Sequence, residues 1–415
     1  MSAEPDDEGR GRNPYRPGAS VRPTFLAGRT GELSRFRRLL AKSPEVPANL
    51  RIIGLRGVGK SVLLKEQERQ ADTWYTTRLQ IEPRNNSEDG VVDLLVHASE
   101  KARSALSRAV RIRKALTGVA ATAGRSLTVG FHDIEVSLAL SGTSRQGDLA
   151  KALFDTAELA YRQGYDGYMV MLDEAQALRD DAGRDGEHPL SLLVAAINTL
   201  QEQEVPLALV LCGLPTLQTN LLKARTYSER MFAGESIGRL SDPESWLAFV
   251  RPLEGTGVAA CHDLVERVIR EVEGYPYFVQ VWGAELWDAA EDAGVWTLGI
   301  PLLEQIEADI YRRLDADFYE GRVLALTPAE ADLLMATAAC PYPPLRTADI
   351  HELSDKSQGN VNVLMGRLVE QGVLYRIQQG QYEYTAPKFH TFLQRRAWRL
   401  VDEGRAGARR PAGGR

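Results

Sequence analysis

The sequence predicts a parallel three-layer α/β domain, followed by a small group of helices and a C-terminal module that contains a hairpin. Three observations predict this fold class. A short apolar strand at 50–53 enters a glycine-rich loop, and a helix leaves that loop. A second apolar strand, at 168–172, ends in two acids. Strands and helices then alternate up to about residue 240, which is the order of a parallel sheet covered by helices.

The composition sets limits on the class of protein. Of the 415 residues, 44% are hydrophobic and 26% are charged, as in ordinary globular proteins. The net charge of −6 argues against a uniformly basic nucleic-acid-binding surface but is compatible with a local basic face. No segment has the apolar length of a membrane span, and the N-terminal residues lack the features of a signal peptide. Three widely spaced cysteines fit neither a disulfide framework nor a metal knuckle, so we expect a cytoplasmic protein without membrane contacts.

The glycine-rich loop has the pattern of a phosphate-binding loop. It reads Gly, four residues, then Gly-Lys-Ser, between a strand and a helix predicted over 60–71. Gly54, Gly57 and Gly59 allow positive φ, which brings several backbone N–H groups close to phosphate oxygens. The helix adds its free N-terminal donors and the positive end of its dipole. A chance Gly-Lys-Ser turn is the alternative, but the flanking strand and helix supply the context that the motif requires.

Within this loop, individual side chains have distinct expected roles. Lys60 can reach the β and γ phosphates, and the Ser61 hydroxyl can ligate Mg²⁺. The residues predicted to contact the nucleotide are Gly54, Gly57, Val58, Gly59, Lys60, Ser61 and Val62.

The apolar strand at 168–172 is followed by Asp173 and Glu174. Two acids at the end of a buried strand are costly unless a cation or a lysine compensates them. We therefore predict that Asp173 joins the Mg²⁺ shell. Glu174 is then placed to orient and deprotonate an attacking water. Such a segment is a weak signal alone, but it becomes strong downstream of a phosphate-binding loop.

The α/β domain is predicted to span 23–240. Residues 1–22, rich in Gly, Pro, Arg and acids, are predicted to be disordered. Alternating apolar residues predict a β-hairpin insertion at about 126–141. A helix predicted from 91 to 116 carries a basic cluster that is either a solvated face or a surface for nucleic acid or a partner. The cluster contains Lys101, Arg103, Arg108, Arg111, Arg113, Lys114 and, beyond the helix, Arg125.

The remainder of the chain is predicted to form two smaller modules. Helical periodicity without strands predicts a helical subdomain at 241–316, which a Ser-x-x-Glu capping box opens. Three helices and then a hairpin predict a winged helix at 321–400. The basic end, 401–415, is predicted to be disordered.

With these segments in place, the chain resembles AAA+ ATPases of the origin-recognition-like and archaeal (STAND-like) group. The resemblance covers about residues 23–400 and implies a P-loop fold, ATP and Mg²⁺ as ligands, and ATP hydrolysis with Lys60 and Glu174 as catalytic residues. The preference for ATP over GTP depends on the resemblance alone. Its carriers are residues 25–29, the Walker A loop at 54–61, the Walker B segment at 172–176, and residues 212–215, 225–232 and 274–277.

The resemblance also implies an arginine that completes the active site of a neighbouring protomer, and hence a homo-oligomer or nucleotide-dependent self-association. Arg230 is the first candidate for this catalytic arginine and Arg225 the second, with a surface or ion-pair role as the alternative. Two departures predict a slow switch rather than a motor. The pair Cys212-Gly213 supplies no polar side chain at the sensor position, and residues 274–277 offer no arginine.

The predicted winged helix carries polar side chains in and just before its third helix. Its phosphate and base-edge donors suit DNA, while the mild local charge equally suits a protein-contact or autoinhibitory module. Three functions therefore stay open: an ATP-hydrolysing switch coupled to DNA, a DNA-loading or transposition-type ATPase, and a non-catalytic nucleotide-gated regulator or sensor. The donor residues are Lys356, Ser357, Gln358, Asn360, Asn362 and Arg367.

Overall fold

Five parallel strands form one sheet in the computed structural model, which describes residues 12–117, 144–180, 187–225 and 228–408. Their order across the sheet is β2-β3-β4-β1-β5, so β4 lies between β1 and β3. The hairpin predicted at 126–141 lies outside the described residues. The strands are β1 (Leu50–Gly54), β2 (Tyr75–Gln80), β3 (Tyr168–Asp173), β4 (Leu207–Gly213) and β5 (Ala233–Ile237).

Both faces of the sheet are covered, because β3 is apolar and buried along its whole length. Tyr168, Val170 and Leu172 join one core cluster together with alternate residues of β4. Met169 and Met171 point to the opposite face and are equally buried. Near-continuous apolar strands of this kind belong to parallel sheets with helices on both sides. The predicted three-layer α/β fold class is therefore confirmed.

Seven helices accompany this sheet in the described residues. The predicted helices after the phosphate-binding loop, from 91 and from 189 are all present. The strand β5 was not predicted, since its sequence Ala-Gly-Glu-Ser-Ile lacks an apolar alternation. The helices are α1 (Thr30–Leu40), α2 (Lys60–Gln70), α3 (Glu88–Thr117), α4 (Ser144–Arg162), α5 (Pro189–Glu202), α6 (Thr216–Ala224) and α7 (Ser228–Met231).

The chain divides into two units. The first, here called the sheet unit, consists of Gly28–Gly54 and Gly59–Gly238. The second, here called the helical unit, takes the chain up to Ala27, the short piece Leu55–Val58 and everything from Arg239 onward.

The helical unit begins with the predicted capping box. Ser241 accepts a hydrogen bond from the Glu244 amide, and the Glu244 carboxylate accepts one from the Ser241 amide, which fixes the start of the first helix. A two-residue parallel pair of strands was not predicted. These elements are α8 (Asp242–Val250), β6 (Ala259–Ala260), α9 (His262–Val272), α10 (Pro276–Ala293), β7 (Thr297–Leu298), α11 (Ile300–Leu314), a π-helical turn (Asp315–Glu320) and α12 (Gly321–Leu324).

From residue 328 the elements follow in the order helix, strand, helix, helix, strand, strand. The three strands form an antiparallel sheet in the order β8-β10-β9. The two-residue β8 is too short to give a sequence signal. The elements are α13 (Pro328–Ala336), β8 (Leu345–Arg346), α14 (Thr347–Leu353), α15 (Gln358–Glu370), β9 (Leu374–Gln378), β10 (Gln381–Tyr384) and α16 (Phe389–Ala408).

Two expectations about the chain ends are corrected. The tail predicted to be disordered up to residue 22 contains Tyr15, which is buried and donates a hydrogen bond to the Phe249 carbonyl (2.5 Å). Asn13 also donates to the Ala284 carbonyl (3.1 Å). One aromatic residue supplied enough apolar area to order a polar segment. At the other end, α16 continues to Ala408, past the boundary predicted at 401.

Within the described ranges, no helix is both long enough and apolar enough to cross a membrane.

Candidate nucleotide-binding site

The glycine-rich loop has the backbone that its sequence predicts at two of its three glycines. Gly57 and Gly59 have φ of +81° and +90°, in the left-handed region that favours glycine. Gly59 is the N-cap of α2, and Lys60 is its first residue. The expectation of a positive φ at Gly54 is wrong. Gly54 instead ends β1 as an extended residue opposite Ile237 of β5, because the ladder continues to this position.

The start of α2 places the predicted phosphate-binding side chains. Lys60 is buried, whereas Ser61 and Val62 in the first turn are partly exposed. The first turn of a helix carries free N–H groups and the positive end of the dipole, so it is suited to an anion. Val58, in the loop, is buried.

The sheet order brings the predicted acid to the same edge as this helix. Leu172 lies opposite Leu211, and Ile52 lies opposite Cys212. Asp173 therefore ends β3 at the level of Cys212 in β4, and β4 is the strand that lies between β3 and β1. Since neighbouring strands lie about 4.8 Å apart, β1 and β3 are separated by roughly 10 Å across β4. That distance suits a ligand held from both sides.

Within the sheet unit, one buried thiol interacts with both the predicted lysine and the predicted acid. The Cys212 thiol is completely buried, and burial raises its pKa well above the ordinary value. The Asp173 carboxylate, which accepts a hydrogen bond from the thiol, raises the pKa of Cys212 further, and the Lys60 ammonium lowers it. The pKa of one buried thiol thus depends on the predicted phosphate-binding lysine and on the predicted metal-binding acid, because both lie near the end of β4.

Glu174 has an unusual backbone conformation. Its φ of +55° places it in the left-handed region, which is uncommon for a residue with a side chain. Its N–H group donates to Asp173 Oδ1 at 2.9 Å. Its carboxylate oxygen Oε2 accepts a hydrogen bond from Gln176 Nε2 at 2.6 Å. Non-glycine residues in this region are enriched at functional sites, which agrees with the role predicted for Glu174.

Sequence reasoning quoted Gln176 only as part of the Walker B segment and assigned it no role. In the structure its Oε1 atom accepts a hydrogen bond from the Leu214 amide at 3.0 Å, just after β4. The sequence signal was a polar residue two positions after Glu174, where an apolar or small one would fit equally well. Only the fold shows which strand end it reaches.

The piece of the phosphate-binding loop in the helical unit makes its own contacts. The Arg56 amide donates to the Thr385 carbonyl at 3.0 Å, and the Tyr277 amide donates to the Gly57 carbonyl at 3.4 Å. The Phe318 ring lies against Gly57, where an added Cβ would be 3.5 Å away. Phe318 also stacks on Tyr277, with ring centroids 5.1 Å apart.

The two candidate arginine fingers are exposed. Arg230 lies on α7 and Arg225 just after α6. The buried Ser228 anchors this segment, since its hydroxyl donates to the Leu221 and Arg225 carbonyls at 2.8 and 2.7 Å. Arg230 is thus presented to solvent from a fixed base. Which arginine acts on a neighbour stays a prediction.

Two other predicted surfaces have different characters. In the basic cluster of α3, Lys101 and Arg108 are exposed, but Arg103 pairs with Asp155 at 3.0 Å. The helix α15 buries one stripe and exposes its polar stripe. The buried residues are Val361, Leu364, Met365 and Leu368. The exposed polar residues are Ser357, Gln358, Asn360, Asn362 and Arg367, with Lys356 partly exposed.

Comparison with known proteins gives a family match over the C-terminal module. A family model described as a domain of unknown function (DUF8462) matches residues 316–393. No curated protein matches the chain.

Solved structures share the fold of nearly the whole chain. A Walker-type ATPase of Pyrococcus abyssi is 16% identical with a TM-score of 0.57, and the match covers 91% of this chain and 98% of that chain. The ORC2 protein of Aeropyrum pernix, in ADPNP–ADP complexes, is 14% identical with a TM-score of 0.51, covering 93% and 97%. The chain therefore has the AAA+ fold of origin-recognition-like ATPases, as its sequence predicted.

Proposed function

We propose that this protein binds ATP with Mg²⁺ and hydrolyses it slowly to ADP and phosphate, as a conformational switch. One observation carries the proposal. β4 pairs with both β1 and β3, so the chain that leaves β1 towards Lys60 and the acid Asp173 at the end of β3 lie at the same edge of the sheet. A lysine at a helix N-terminus, together with a carboxylate at the end of a strand two places away in the sheet, suits a phosphate chain and its cation.

The residues present fit the ligands that the fold implies. Lys60 and the loop amides would hold the phosphates, while Ser61 and Asp173 offer the oxygen donors that Mg²⁺ prefers. When bound, Mg²⁺ neutralises charge that develops on the transferred phosphoryl group. Glu174 would accept the proton of the attacking water.

Glu174→Gln tests this assignment directly. We expect the variant to bind ATP with nearly wild-type affinity and to hydrolyse it at least about 10²-fold more slowly, because it lacks the general base. ATP binding by calorimetry and phosphate release under single-turnover conditions measure the two effects. Lys60→Ala is the matched control, which we expect to lose binding itself.

Equal turnover in wild type and Glu174→Gln would contradict the enzymatic role. The non-catalytic nucleotide-gated regulator would then be the better description.

The contacts of the loop support its role as a switch. Gly57 is held by Tyr277 and Phe318, and Phe318 belongs to the π-helical turn Asp315–Glu320. Such turns occur frequently at functional sites. The next residue, Tyr319, donates to the Pro387 carbonyl at 2.8 Å and stacks on Phe392 of α16. A change in the loop on binding phosphate would therefore reach α16 through adjacent aromatic rings.

Hydrogen exchange checks this coupling. We expect ATP to change the amide protection of residues 315–320, because their aromatic neighbour contacts the loop that would receive the phosphates. The change should be absent in Lys60→Ala, which serves as the control for non-specific nucleotide effects. Unchanged protection in a wild-type protein that is saturated with ATP would exclude this route.

Arg230 is proposed to act in trans in a homo-oligomer or a nucleotide-dependent assembly. Its exposure on the anchored α7 supports this role, with Arg225 as the second candidate. An arginine finger contributes roughly 10³ to 10⁵ in rate, so an isolated protomer would be nearly inactive.

A dilution series tests the trans arrangement. We expect turnover per protomer to rise with protein concentration, and Arg230→Ala to remove that rise while leaving ATP affinity unchanged. Arg225→Ala is the comparison variant that separates the two candidates. Turnover per protomer that stays constant over a wide range of dilution would rule out a finger in trans.

The C-terminal elements are proposed to form a DNA-binding winged helix. Their order and the antiparallel sheet β8-β10-β9 support the winged helix, with α15 as the recognition helix. The exposed stripe of α15 supports an anionic partner such as DNA, since residues 358–367 contain no acid and end in Arg367. A protein-contact or autoinhibitory module is the competing role.

Salt dependence of DNA binding distinguishes these roles. We expect Arg367→Ala to lower the slope of log K against log salt by about 0.9, because one phosphate contact is lost. Lys356→Ala should act in the same way, and Glu370→Gln should not weaken binding. Fluorescence anisotropy with a labelled duplex measures the affinities. No binding at low salt would favour the protein-contact role.

A further inference from the structure

We infer that Gln176 is a positioning residue for Glu174, supplying at the end of β4 the polar group that Cys212 and Gly213 lack. The inference rests on the proposed ATP hydrolysis. The sensor position at the end of this strand lacks a hydrogen-bonding side-chain amide or hydroxyl in the sequence, because a buried thiol and a glycine occupy it. The structure places the Gln176 amide at the same strand end instead.

Gln176 uses both ends of its amide. Nε2 donates to Glu174 Oε2 at 2.6 Å, and Oε1 accepts from the Leu214 amide at 3.0 Å. A side-chain amide carries a donor and an acceptor on one carbon, so it can join a carboxylate to a backbone N–H group. A hydrogen bond to an ionised carboxylate is roughly twice as strong as a neutral one. The amide therefore connects Glu174 to the segment that follows β4.

Gly213 leaves the space that this arrangement requires. An added Cβ at Gly213 would lie 2.4 Å from Gln176 Oε1 and 3.1 Å from the backbone nitrogen of Gln176. Such contacts would push the amide away from the Leu214 N–H group. The glycine that makes the sensor position appear empty in the sequence is thus the condition for Gln176 to occupy it.

The backbone around Gln176 is also held. Asn220 of α6 donates from Nδ2 to the Gln176 and Leu178 carbonyls, at 3.1 and 3.2 Å. The segment Ala175–Ala177 forms a 3₁₀ turn that starts directly after Glu174. Gln176 is therefore fixed on its backbone side as well as through its amide, whereas Glu174 depends on it for the direction of its carboxylate.

This dependence gives Gln176 a role in turnover rather than in ATP affinity. A glutamate side chain has several rotatable bonds, and a general base must lie within hydrogen-bond reach of the water that it deprotonates. Small misplacements of a catalytic group cost up to about 10²-fold in rate. A purely structural role is the competing explanation, in which Gln176 only satisfies the Leu214 amide.

Two substitutions separate these roles. Gln176→Met keeps the approximate volume and loses both hydrogen bonds, whereas Gln176→Glu keeps an acceptor for Leu214 and sets a negative charge against Glu174. We expect each to lower kcat about tenfold or more while the Kd for ATP stays within about twofold of wild type. Gly213→Ala should reproduce this loss, and Gln218→Met, at an exposed glutamine of α6, should leave both constants unchanged.

Thermal melting of each variant shows whether it is folded before its kinetics are compared. Wild-type turnover in Gln176→Glu with a loss in Gln176→Met would overturn the inference in favour of the structural role. A higher Kd for ATP with unchanged kcat would also overturn it. Glu174→Gln is measured in the same assay. If it equals wild type, the proposed hydrolysis has failed; if it is inactive while the Gln176 variants turn over ATP at the wild-type rate, only this inference has failed.

Discussion

A carboxylate at the end of a fully apolar strand is the constraint on which the candidate site depends. Asp173 is only 8% exposed and is the last residue of β3, in which each of the other residues is buried as well. Such a charge is tolerated only where hydrogen bonds or cations compensate it. Here the Glu174 amide donates to it at 2.9 Å, and the buried Cys212 thiol interacts both with it and with the Lys60 ammonium. In the proposed function, the same arrangement that compensates the buried acid would hold a cation with a phosphate chain.

The strand order turns this local requirement into a site. Because β4 lies between β1 and β3, its carboxyl end forms the middle of the edge where lysine and acid meet. A large side chain there would crowd the ligand, and a missing one would leave the site without a polar wall. Cys212 and Gly213 have small side chains and leave space at the end of β4. Gln176 reaches this end from the turn that follows the neighbouring strand β3. The small residues Cys212 and Gly213 and the side-chain amide of Gln176 are therefore parts of one arrangement at the end of β4.

The helical unit contains the short piece Leu55–Val58 of the predicted phosphate-binding loop. Its backbone bonds to Thr385 and Tyr277, together with the Phe318 ring, attach the loop to elements far along the chain. The family match at 316–393 covers two of these three contact points. In the proposed slow switch, a loop held in this way would transmit the nucleotide state to these elements, and the absence of an arginine at 274–277 supports a switch over a motor.

By itself the sequence determined the fold class, the phosphate-binding motif and the acidic pair, because these depend on local spacing and on apolar runs that are visible along the chain. It also located most helices and strands, and missed β5, β6, β7 and β8, which are short and lack an apolar period. Only the tertiary structure decided that Gly54 is a strand residue, that Tyr15 is buried and that Gln176 joins Glu174 to the end of β4. Each of these depends on a partner distant in sequence, whose position follows from the order of the strands and from packing rather than from the residue's own neighbours.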